Sequence, residues 1–529
     1  MFNCSLMGWA SISGVDGQDQ GGMAAERAEL LLHKMKSLRE DSSLDINQDT
    51  QSFNIVLDCW AKSMTPSASE RALKLLREVP NPDECSYNSV LHAMTMTKQT
   101  GTEMVTSAEA LFEEMKVLKD KKLLSISEIT FHVMMNVYGK SRNANGATRA
   151  EELLRSMQAD GLSLNATSYN ICIDAYARRG DSEKAKSLLE EMIAMSDVRT
   201  ECRPTIHSFA AVVNALAKSE AEDSVEQAQM IVRDVEKLDY VSPNSVLYNS
   251  LIDCITKNGG PNAPSQAEDV LAKMRQMHNE GHSDVQPNPY AYSMVLTCCA
   301  RSQDAGAAER ADRILMSMEQ MYDAGHSNVI ANDRCYSAVI TAWARNGSAN
   351  AVQRSLELLD RMEDNLKEDK PHGRPNAHCY NACIHAIAKS ALSGSQKAKR
   401  CQEILQRMIE QKEKGFHESA PTLVTYSTIL NACAYANGDQ NDKKEAFNLA
   451  KACFQALLES DNMKPCPSCY TNFFLVISRL LKPGEVRDML AEATYKEIYT
   501  SGGKIDSQIL KNFRNSSPVI ANKLLSDGS

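Results

Sequence analysis

The stretch Thr167–Met195, TSYNICIDAYARRGDSEKAKSLLEEMIAM, predicts a helix, a tight turn and a second helix. Gly180 ends the first apolar run, and Asp181 or Ser182 can cap the second helix. The apolar residues of the first half have the i, i+3, i+4, i+7 spacing of one helix face: Tyr169, Cys172, Ile173 and Tyr176. The apolar face of the second helix carries Ala185, Leu188, Leu189 and Met192. Such a hairpin leaves one face uncovered, so it needs a neighbour of the same kind.

The neighbours are present, because the same aromatic residue and the apolar residues spaced behind it return along the chain. The N-terminus supplies one further copy, which opens at Phe2. The others open at Phe53, Tyr87, Phe131, Phe209, Tyr248, Tyr292, Tyr336, Tyr380, Tyr426 and Tyr470. The sequence therefore predicts an all-α fold, a right-handed superhelical solenoid of about twelve hairpins over residues 1–480, with the first one truncated. Residues 481–529 are predicted to form the last second helix and C-terminal capping helices.

The second helix repeats as well, since a small residue precedes a Met by seven positions in most copies. We interpret this Met row as core, because flexible Met side chains fill gaps between packed helices. The pairs are Ala28 and Met35, Ala108 and Met115, Ala150 and Met157, Ala185 and Met192, Ala267 and Met274, Ala311 and Met318, and Cys401 and Met408. The period is not constant: it is 34 residues between Phe53 and Tyr87 and 44 between Tyr292 and Tyr336. We expect the extra residues in polar connectors such as 364–375 and 411–421.

Composition narrows the class of protein further. The formal net charge of −10 argues against a bulk polycation that coats nucleic acid, although a local basic row remains compatible with it. Most of the 16 Cys fall at apolar helix positions, which favours buried thiols in a reducing compartment over disulfides. The sequence shows no apolar run long enough to span a bilayer and no visible transit peptide. We interpret its apolar opening as a repeat helix rather than as a signal peptide. Because the sequence begins inside that helix, we expect an incomplete N-terminus.

A row of small polar residues follows the aromatic anchors. Asn offers both a donor and an acceptor and Ser a hydroxyl, which suits reading the edges of unstacked bases one at a time. The alternative is helix capping, for which both residues are favoured. The row consists of Asn3, Asn54, Asn88, Asn170, Asn249, Ser293, Ser337, Asn381 and Ser427.

A cation stands nine residues after the anchor in most of the copies. A row of such cations would neutralise phosphates along a bound strand. The alternative is that each one complements the dipole at the end of its helix. The row consists of Lys62, Lys140, Arg178, Lys218, Lys257, Arg301, Arg345 and Lys389.

Three features of the repeat resemble the pentatricopeptide repeat family. The first helix opens Tyr-Asn or Tyr-Ser, a pair such as Pro243-Asn244 precedes it, and a pair such as Ala177-Arg178 closes it. The tetratricopeptide pattern would require a Leu-Gly pair that is missing here. The resemblance covers Phe2 to about Arg479, and many copies are longer than the family's usual repeat. It implies a protein that binds single-stranded RNA, one base per repeat, in mitochondria or plastids (chloroplasts), where it would act in RNA processing, stability or translation.

The resemblance also implies that the residue after the anchor and the last residue of the repeat specify a base together. His132, Ala210 and Cys466 depart from the family's usual choices, so it assigns their repeats no base. Asn with Asp implies U, Asn with Asn or Ser a pyrimidine, and Ser with Asn implies A. The pairs are Asn3 with Asp49, Asn54 with Asp83, Asn88 with Ser127, His132 with Asn165, Asn170 with Thr205, Ala210 with Asn244, Asn249 with Asn288, Ser293 with Asn332, Ser337 with Asn376, Asn381 with Thr422 and Ser427 with Cys466.

The residue patterns in the sequence do not support an enzymatic function. The zinc deaminase signature is matched only by His278-Asn279-Glu280 and Cys466-Pro467-Ser468-Cys469, with four repeat starts between them. The acids after Arg479 are too scattered for a metal-dependent nuclease domain. We therefore predict a non-enzyme without metal or cofactor, and without a membrane or small-molecule ligand. Its partners would be RNA and other RNA-processing proteins, and the alternative function is a protein-binding helical-repeat scaffold.

Overall fold

The computed structural model describes residues 2–12, 18–41, 49–96, 102–141, 143–196, 198–304, 306–348, 350–460, 463–500 and 505–526. Every regular element in these ranges is a helix. The α-helices are α1 (Phe2–Ile12), α2 (Gln18–Asp41), α3 (Thr50–Lys62), α4 (Ala68–Leu76), α5 (Glu84–Met96), α6 (Thr102–Asp120), α7 (Glu128–Lys140), α8 (Gly146–Ala159), α9 (Ala166–Arg179), α10 (Ser182–Ser196), α11 (Ile206–Leu216), α12 (Ser224–Val235), α13 (Ser245–Asn258), α14 (Ala263–Asn279), α15 (Pro289–Arg301), α16 (Ala307–Asp323), α17 (Asp333–Asn346), α18 (Ala351–Lys367), α19 (Ala377–Lys389), α20 (Gly394–Glu413), α21 (Leu423–Ala434), α22 (Gln440–Glu459), α23 (Pro467–Leu480), α24 (Glu485–Thr500), α25 (Ser507–Ser516) and α26 (Pro518–Ser526). Short 3-10 turns lie at Thr200–Cys202, Ser283–Val285 and His417–Ser419.

The helices divide between two compact units, Met1–Cys254 and Ile255–Ser529. In the N-terminal unit each first helix packs on the next, from α1 and α3 through α9 and α11. The C-terminal unit repeats the arrangement from α15 and α17 through α23 and α25. Second helices pack against the first helices that flank them, as α10 does against α9 and α11. The prediction of an all-α solenoid of helix-turn-helix repeats is therefore confirmed.

The hairpin of α9 and α10 shows why this sequence folds as it does. Asn165 and Ser168 form a reciprocal capping box at the start of α9. Gly180 ends the helix in the left-handed region, at φ +77°. A Cβ there would also lie 3.0 Å from the carbonyl oxygen of Lys218. The Lys184 amide then donates to Asp181 Oδ1 at 3.1 Å, so the predicted turn and cap are both confirmed.

The aromatic anchors form the centre of the core. Tyr169, Tyr248, Tyr336 and Tyr380 each have a relative exposure of 0%, whereas Tyr426 is half-buried. The hydroxyls of these four fully buried tyrosines donate to carboxylates, as in the 2.8 Å bond from Tyr380 to Glu363 Oε1. The predicted Met row is buried in every copy that the sequence identified: Met35, Met115, Met157, Met192, Met274, Met318 and Met408. The row also includes Met362 and Leu457, seven residues after the buried Ser355 and Ala450, which the sequence pattern missed.

The longer repeats lengthen their second helices, which corrects the expectation that the extra residues lie in connectors. The second helix α4 of the short repeat has 9 residues, whereas α18 has 17 and α20 has 20. Residues 364–367 and 411–413 therefore belong to helices rather than to loops. Good helix formers favour this extension: Leu366 and Lys367 in the first segment, and Gln411, Lys412 and Glu413 in the second.

The cysteines lie mostly in the core, as predicted. Burial raises the pKa of the Cys299, Cys401 and Cys453 thiols to about 12, so they are protonated at neutral pH. Membrane insertion has no candidate segment in the described ranges, where none of the helices is both long and apolar enough to cross a bilayer.

Candidate nucleic-acid interface

The polar row after the anchors lies inside the first helices rather than at their ends. From α3 to α23 each first helix begins three residues before its anchor, so Asn170 is the fifth residue of α9 and Asn54 the fifth of α3. The expectation that this row starts the helices is therefore wrong, and so is the capping alternative for it. The start comes earlier because the repeat-end residue already supplies the cap.

The repeat-end residues are the helix caps. Side-chain oxygens of Asp49, Ser127 and Asn332 accept from backbone amides in the first turn of the following helix. Asp83, Asn165, Asn244, Asn288, Asn376 and Thr422 do the same. Thr205 occupies the cap position of α11, and its backbone amide donates to Ser208 Oγ at 3.0 Å. Cys466 occupies the cap position without a side-chain bond. Capping leaves each Asn amide nitrogen available for another partner.

In the N-terminal unit the structure brings two of the predicted pairs together. Asn54 Nδ2 donates to Asp83 Oδ1 at 3.0 Å, and Asn170 Nδ2 donates to Thr205 Oγ1 at 3.4 Å. Burial alone would raise the pKa of Asp83, but bonds from Ser86 and Asn54 outweigh it and leave that pKa below its ordinary value. The Asp83 carboxylate is therefore ionised beside the Asn54 amide at neutral pH.

Other predicted members of this unit are less connected. Ser127 donates to Glu84 rather than to Asn88. Within the described part of the chain, the Oδ1 atoms of Asn88 and Asn249 are buried without a hydrogen-bond partner. Asn3 lies in α1, but its side chain is outside the described set.

The predicted cations of the N-terminal unit stand at the C-terminal ends of first helices. Lys62 and Arg178 are exposed, and Lys62 also forms a 2.6 Å ion pair with Asp58. Lys218 lies just beyond α11 and is exposed. Lys140 is half-buried, and its pKa is lowered by burial and by the nearby Arg178. Neighbouring cations of the row are thus close enough to influence each other's charge.

In the C-terminal unit four predicted residues line one cleft of about 310 Å³. Ser337 and Asn376 come from the polar and repeat-end rows, and Arg301 and Arg345 come from the basic row. Arg345 donates to the Ala300 carbonyl at 3.2 Å, while Asn376 Nδ2 donates to Asp333 Oδ2 at 2.9 Å. A second cleft, of about 960 Å³, is lined by Lys257, Arg301, Arg310 and Arg345. In the first cleft, helices α15 and α17 and the residue that caps α19 therefore bring polar and cationic groups together.

The remaining residues of this unit vary in availability. Ser293 is buried, and its hydroxyl donates to the Tyr290 carbonyl at 2.8 Å. Asn381 Oδ1 is buried and has no partner among the described residues. Ser427 Oγ accepts from Asn472 Nδ2 at 3.1 Å. Lys389 is exposed and borders a cleft that His385 and Lys397 also line.

Sequence reasoning missed two kinds of residue at this surface. Arg179, beside Arg178, donates to the carbonyls of Ala175 and Asn143 and so serves the fold. His92 and His385, five residues after their anchors, lie among the cations. Burial lowers the pKa of both, and Lys140 beside His92 and Lys389 beside His385 lower it further. Both His residues lie five positions after an anchor, and this shared spacing in the sequence could have identified them.

The described ranges hold no group of three or more His, Cys, Asp or Glu side chains arranged to bind a metal ion. Cys466 and Cys469 approach to 3.4 Å between their Sγ atoms at the start of α23. Burial is the main cause that raises the pKa of Cys469 to about 12, so this thiol is protonated at neutral pH.

Comparisons with known proteins agree with the repeat pattern. The family model for the PPR repeat matches residues 167–196, which is the stretch from which the repeat was identified. A pentatricopeptide repeat-containing protein of Arabidopsis thaliana is 28% identical over 226 residues, which are 42% of this chain and 36% of that relative. A second one, labelled chloroplastic, is 29% identical over 109 residues, or 21% of this chain and 20% of that relative. The alignments thus span about a third or less of the relatives' lengths, and they confirm the predicted resemblance to pentatricopeptide repeat proteins.

Two solved structures match most of this chain at low sequence identity. Maize PPR10 is 18% identical with a TM-score of 0.46, and the match covers 95% of this chain and 71% of that one. Yeast Rmd9p, solved with a 16-nucleotide target RNA, is 12% identical with a TM-score of 0.38. That match covers 94% of this chain and 96% of the yeast chain.

Proposed function

We propose that this chain of pentatricopeptide repeats binds single-stranded RNA sequence-selectively, without catalysing a reaction. The observation that carries the proposal is the cleft in which Ser337, Asn376, Arg301 and Arg345 converge. It places hydrogen-bonding groups able to face a base beside guanidinium groups able to face a phosphate. Such a division of labour, with polar groups for base edges and cations for the backbone, is what single-strand recognition requires.

The N-terminal unit supports the same proposal with independent contacts. Its bonded pairs, Asn54 with Asp83 and Asn170 with Thr205, each present donors and acceptors side by side. The first helices that carry these Asn residues end in the exposed Lys62 and Arg178. One helix therefore offers a base-edge contact near its start and a phosphate contact at its end.

The relatives favour a place of action. One matched protein of Arabidopsis thaliana is labelled chloroplastic, and a matched structure was solved with RNA. We propose that the chain acts on RNA in a plastid or mitochondrion, in processing, stability or translation, together with other RNA-processing proteins. Residues 1–480 would form the RNA-binding solenoid, and residues 481–529 would close its C-terminal end.

Selection from a random single-stranded RNA pool, followed by sequencing, tests this function. We expect an enriched motif with U at the base of the Asn54 repeat and A at the base of the Ser337 repeat. A parallel selection with single-stranded DNA is the control for contact with the 2′-hydroxyl. A pool that returns unenriched, with a protein partner captured through the same first-helix surface, would support the scaffold function instead.

A further inference from the structure

A buried serine of the following repeat contacts the residue predicted to read a base. Ser86, the third residue of α5, lies 2.7 Å through its Oγ from Asn54 Oδ1. Ser208, the third residue of α11, makes the same contact with Asn170 Oδ1 at 2.6 Å. Both serines have a relative exposure of 0%. The contact therefore links each reading side chain to the first turn of the next repeat.

The proton positions in this contact follow from the surrounding bonds. Ser208 Oγ accepts from the Thr205 amide at 3.0 Å, and Ser86 Oγ accepts from the Asp83 amide at 3.2 Å. A hydroxyl has one proton to donate. Ser86 Oγ also lies 2.9 Å from Asp83 Oδ1, and Ser208 Oγ lies 3.2 Å from Thr205 Oγ1. The shortest contact of each hydroxyl, at 2.7 and 2.6 Å, is to the Asn oxygen, and this contact directs the proton there. Asn54 Nδ2 then faces the Asp83 carboxylate, because the reversed amide would place an oxygen against a negative charge. Each amide is thereby held in one of its two orientations.

We infer that Ser86 and Ser208 are positioning residues that set base specificity by fixing the amide orientation of Asn54 and Asn170. The inference rests on the proposed RNA-binding function and deepens it. An Asn free to rotate by half a turn exchanges its donor for its acceptor, so it accepts either of two base edges. A fixed amide presents one pattern only, and the second proton of Nδ2 and the second lone pair of Oδ1 remain for the base.

A neighbouring repeat shows that the hydroxyl at this position does not always make the contact. Thr130, the third residue of α7, donates to Glu84 Oε1 at 2.8 Å. The corresponding reader, Asn88, has a buried Oδ1 without a partner among the described residues. Thr130 is also buried and also lies in a helix N-terminal turn, so it provides a matched control with the same local role.

The contact extends to a residue that the family pattern left without a base. His132 Nε2 lies 2.8 Å from Ser168 Oγ, and Ser168 is the third residue of α9. Burial lowers the pKa of His132, so the ring is neutral at pH 7 and keeps one donor and one acceptor. His132 therefore contacts the third residue of the next first helix, as Asn54 and Asn170 do.

The test measures discrimination separately from affinity. Ser86→Ala and Ser208→Ala are prepared as separate variants, with Ser86→Thr as the conservative rescue and Thr130→Val as the control. A random RNA pool is selected against each, and synthetic RNAs carrying each of the four bases at one position are then titrated. The position read by the Asn54 repeat is the one whose preference changes in Asn54→Ser.

We expect discrimination at the cognate base to fall roughly 3- to 10-fold in each Ser→Ala variant, the loss of one neutral hydrogen bond. Ser86→Thr should retain it, and Thr130→Val should leave both bases unaffected. Equal discrimination in Ser86→Ala, Ser208→Ala and the unmodified chain would overturn the inference while leaving RNA binding intact, even if the melting temperature falls. Equal losses in Thr130→Val would overturn it as well, since capping alone would then be responsible. A chain without base preference at either position would overturn both this inference and the proposed function.

Discussion

The Tyr169 hydroxyl donates a 3.0 Å hydrogen bond to Glu191 Oε1, across the hairpin of α9 and α10. Arg155, on the second helix of the preceding repeat, donates to both oxygens of the same carboxylate. The bond from Arg155 is the main cause that lowers the pKa of Glu191. One Glu therefore joins the anchor of its own repeat to the repeat before it.

Removing that hydroxyl should weaken the hairpin modestly. Tyr169→Phe deletes one hydrogen bond but keeps the buried ring, so we expect a loss of about 1 kcal/mol. Tyr169→Ala also empties the core position and should cost about 3–5 kcal/mol. Urea unfolding followed by circular dichroism gives both values, with Tyr290→Phe, at an exposed side chain, as the control. Equal losses in the two Phe variants would contradict the role of the Glu191 contact.

Salt dependence tests the basic row. Changing Arg178, Lys218 and Lys257 together to Ala should weaken binding to all RNA sequences alike and flatten the salt slope by roughly one unit per lost phosphate contact. The control removes the same charge elsewhere, through the exposed Lys184 of α10, Arg233 of α12 and Lys237 just beyond α12. Titration at several salt concentrations measures the slope. An unchanged slope in the first variant, or the same change in the control, would contradict a phosphate-binding role.

The repeat-end Asn residues should alter base choice when converted to Asp. Asn332→Asp keeps an oxygen for the cap bond to the Cys335 amide, so we expect normal stability and a shift from A towards G at one base. Asn376→Asp should make the same shift, but it places a second carboxylate where Asn376 Nδ2 now contacts Asp333. Like charges at that distance destabilise the fold, so we expect a lower melting temperature unless Asp333→Asn is added. Selection from a random pool reads the base, and identical motifs would contradict the pairing.

Proton uptake should accompany RNA binding. Burial and neighbouring cations lower the pKa of His92 and His385 in the free protein, and bound phosphates would offset those cations and raise both values. Affinity should therefore increase as pH falls from about 7.5 to about 6. His92→Gln with His385→Gln should flatten this dependence, whereas His326→Gln, in an exposed turn, should not. Titrations at constant ionic strength compare the variants.

The free protein should show the opposite trend in stability. A His whose pKa is lowered on folding binds fewer protons in the folded state than in the unfolded one, so stability is lost as pH falls below the ordinary His pKa of about 6.5. Thermal melts at several pH values measure this loss. A smaller loss in the double Gln variant than in the unmodified chain is the expected outcome.

The anchors and the Met row could be predicted because their spacing is set by helix geometry, which the sequence records directly. Phe53 and Tyr87 identify their helices, and Met115 and Met274 identify the second face. The helix starts could not be fixed in the same way, because Asn and Ser favour caps by themselves. Only the structure shows that Asn165 takes the cap and leaves Asn170 in the helix.

The hydrogen-bond partners of the candidate site were not predictable from spacing. Ser86 and Thr130 occupy the same position in successive first helices, yet one contacts Asn54 and the other Glu84. The difference depends on which acceptor the neighbouring repeat places nearby. Likewise Arg178 and Arg179 are adjacent residues of the same type. Only the structure shows that the Arg178 side chain is exposed, whereas that of Arg179 donates to backbone carbonyls.

The second helices differ widely in length: α4 has 9 residues, whereas α20 has 20. The first helices stay between 11 and 14 residues from α1 to α23. The repeats of this chain therefore differ in length mainly through their second helices. A protein designer could graft an affinity tag or a second binding module into the late turns of α20 while leaving the spacing of the first helices untouched.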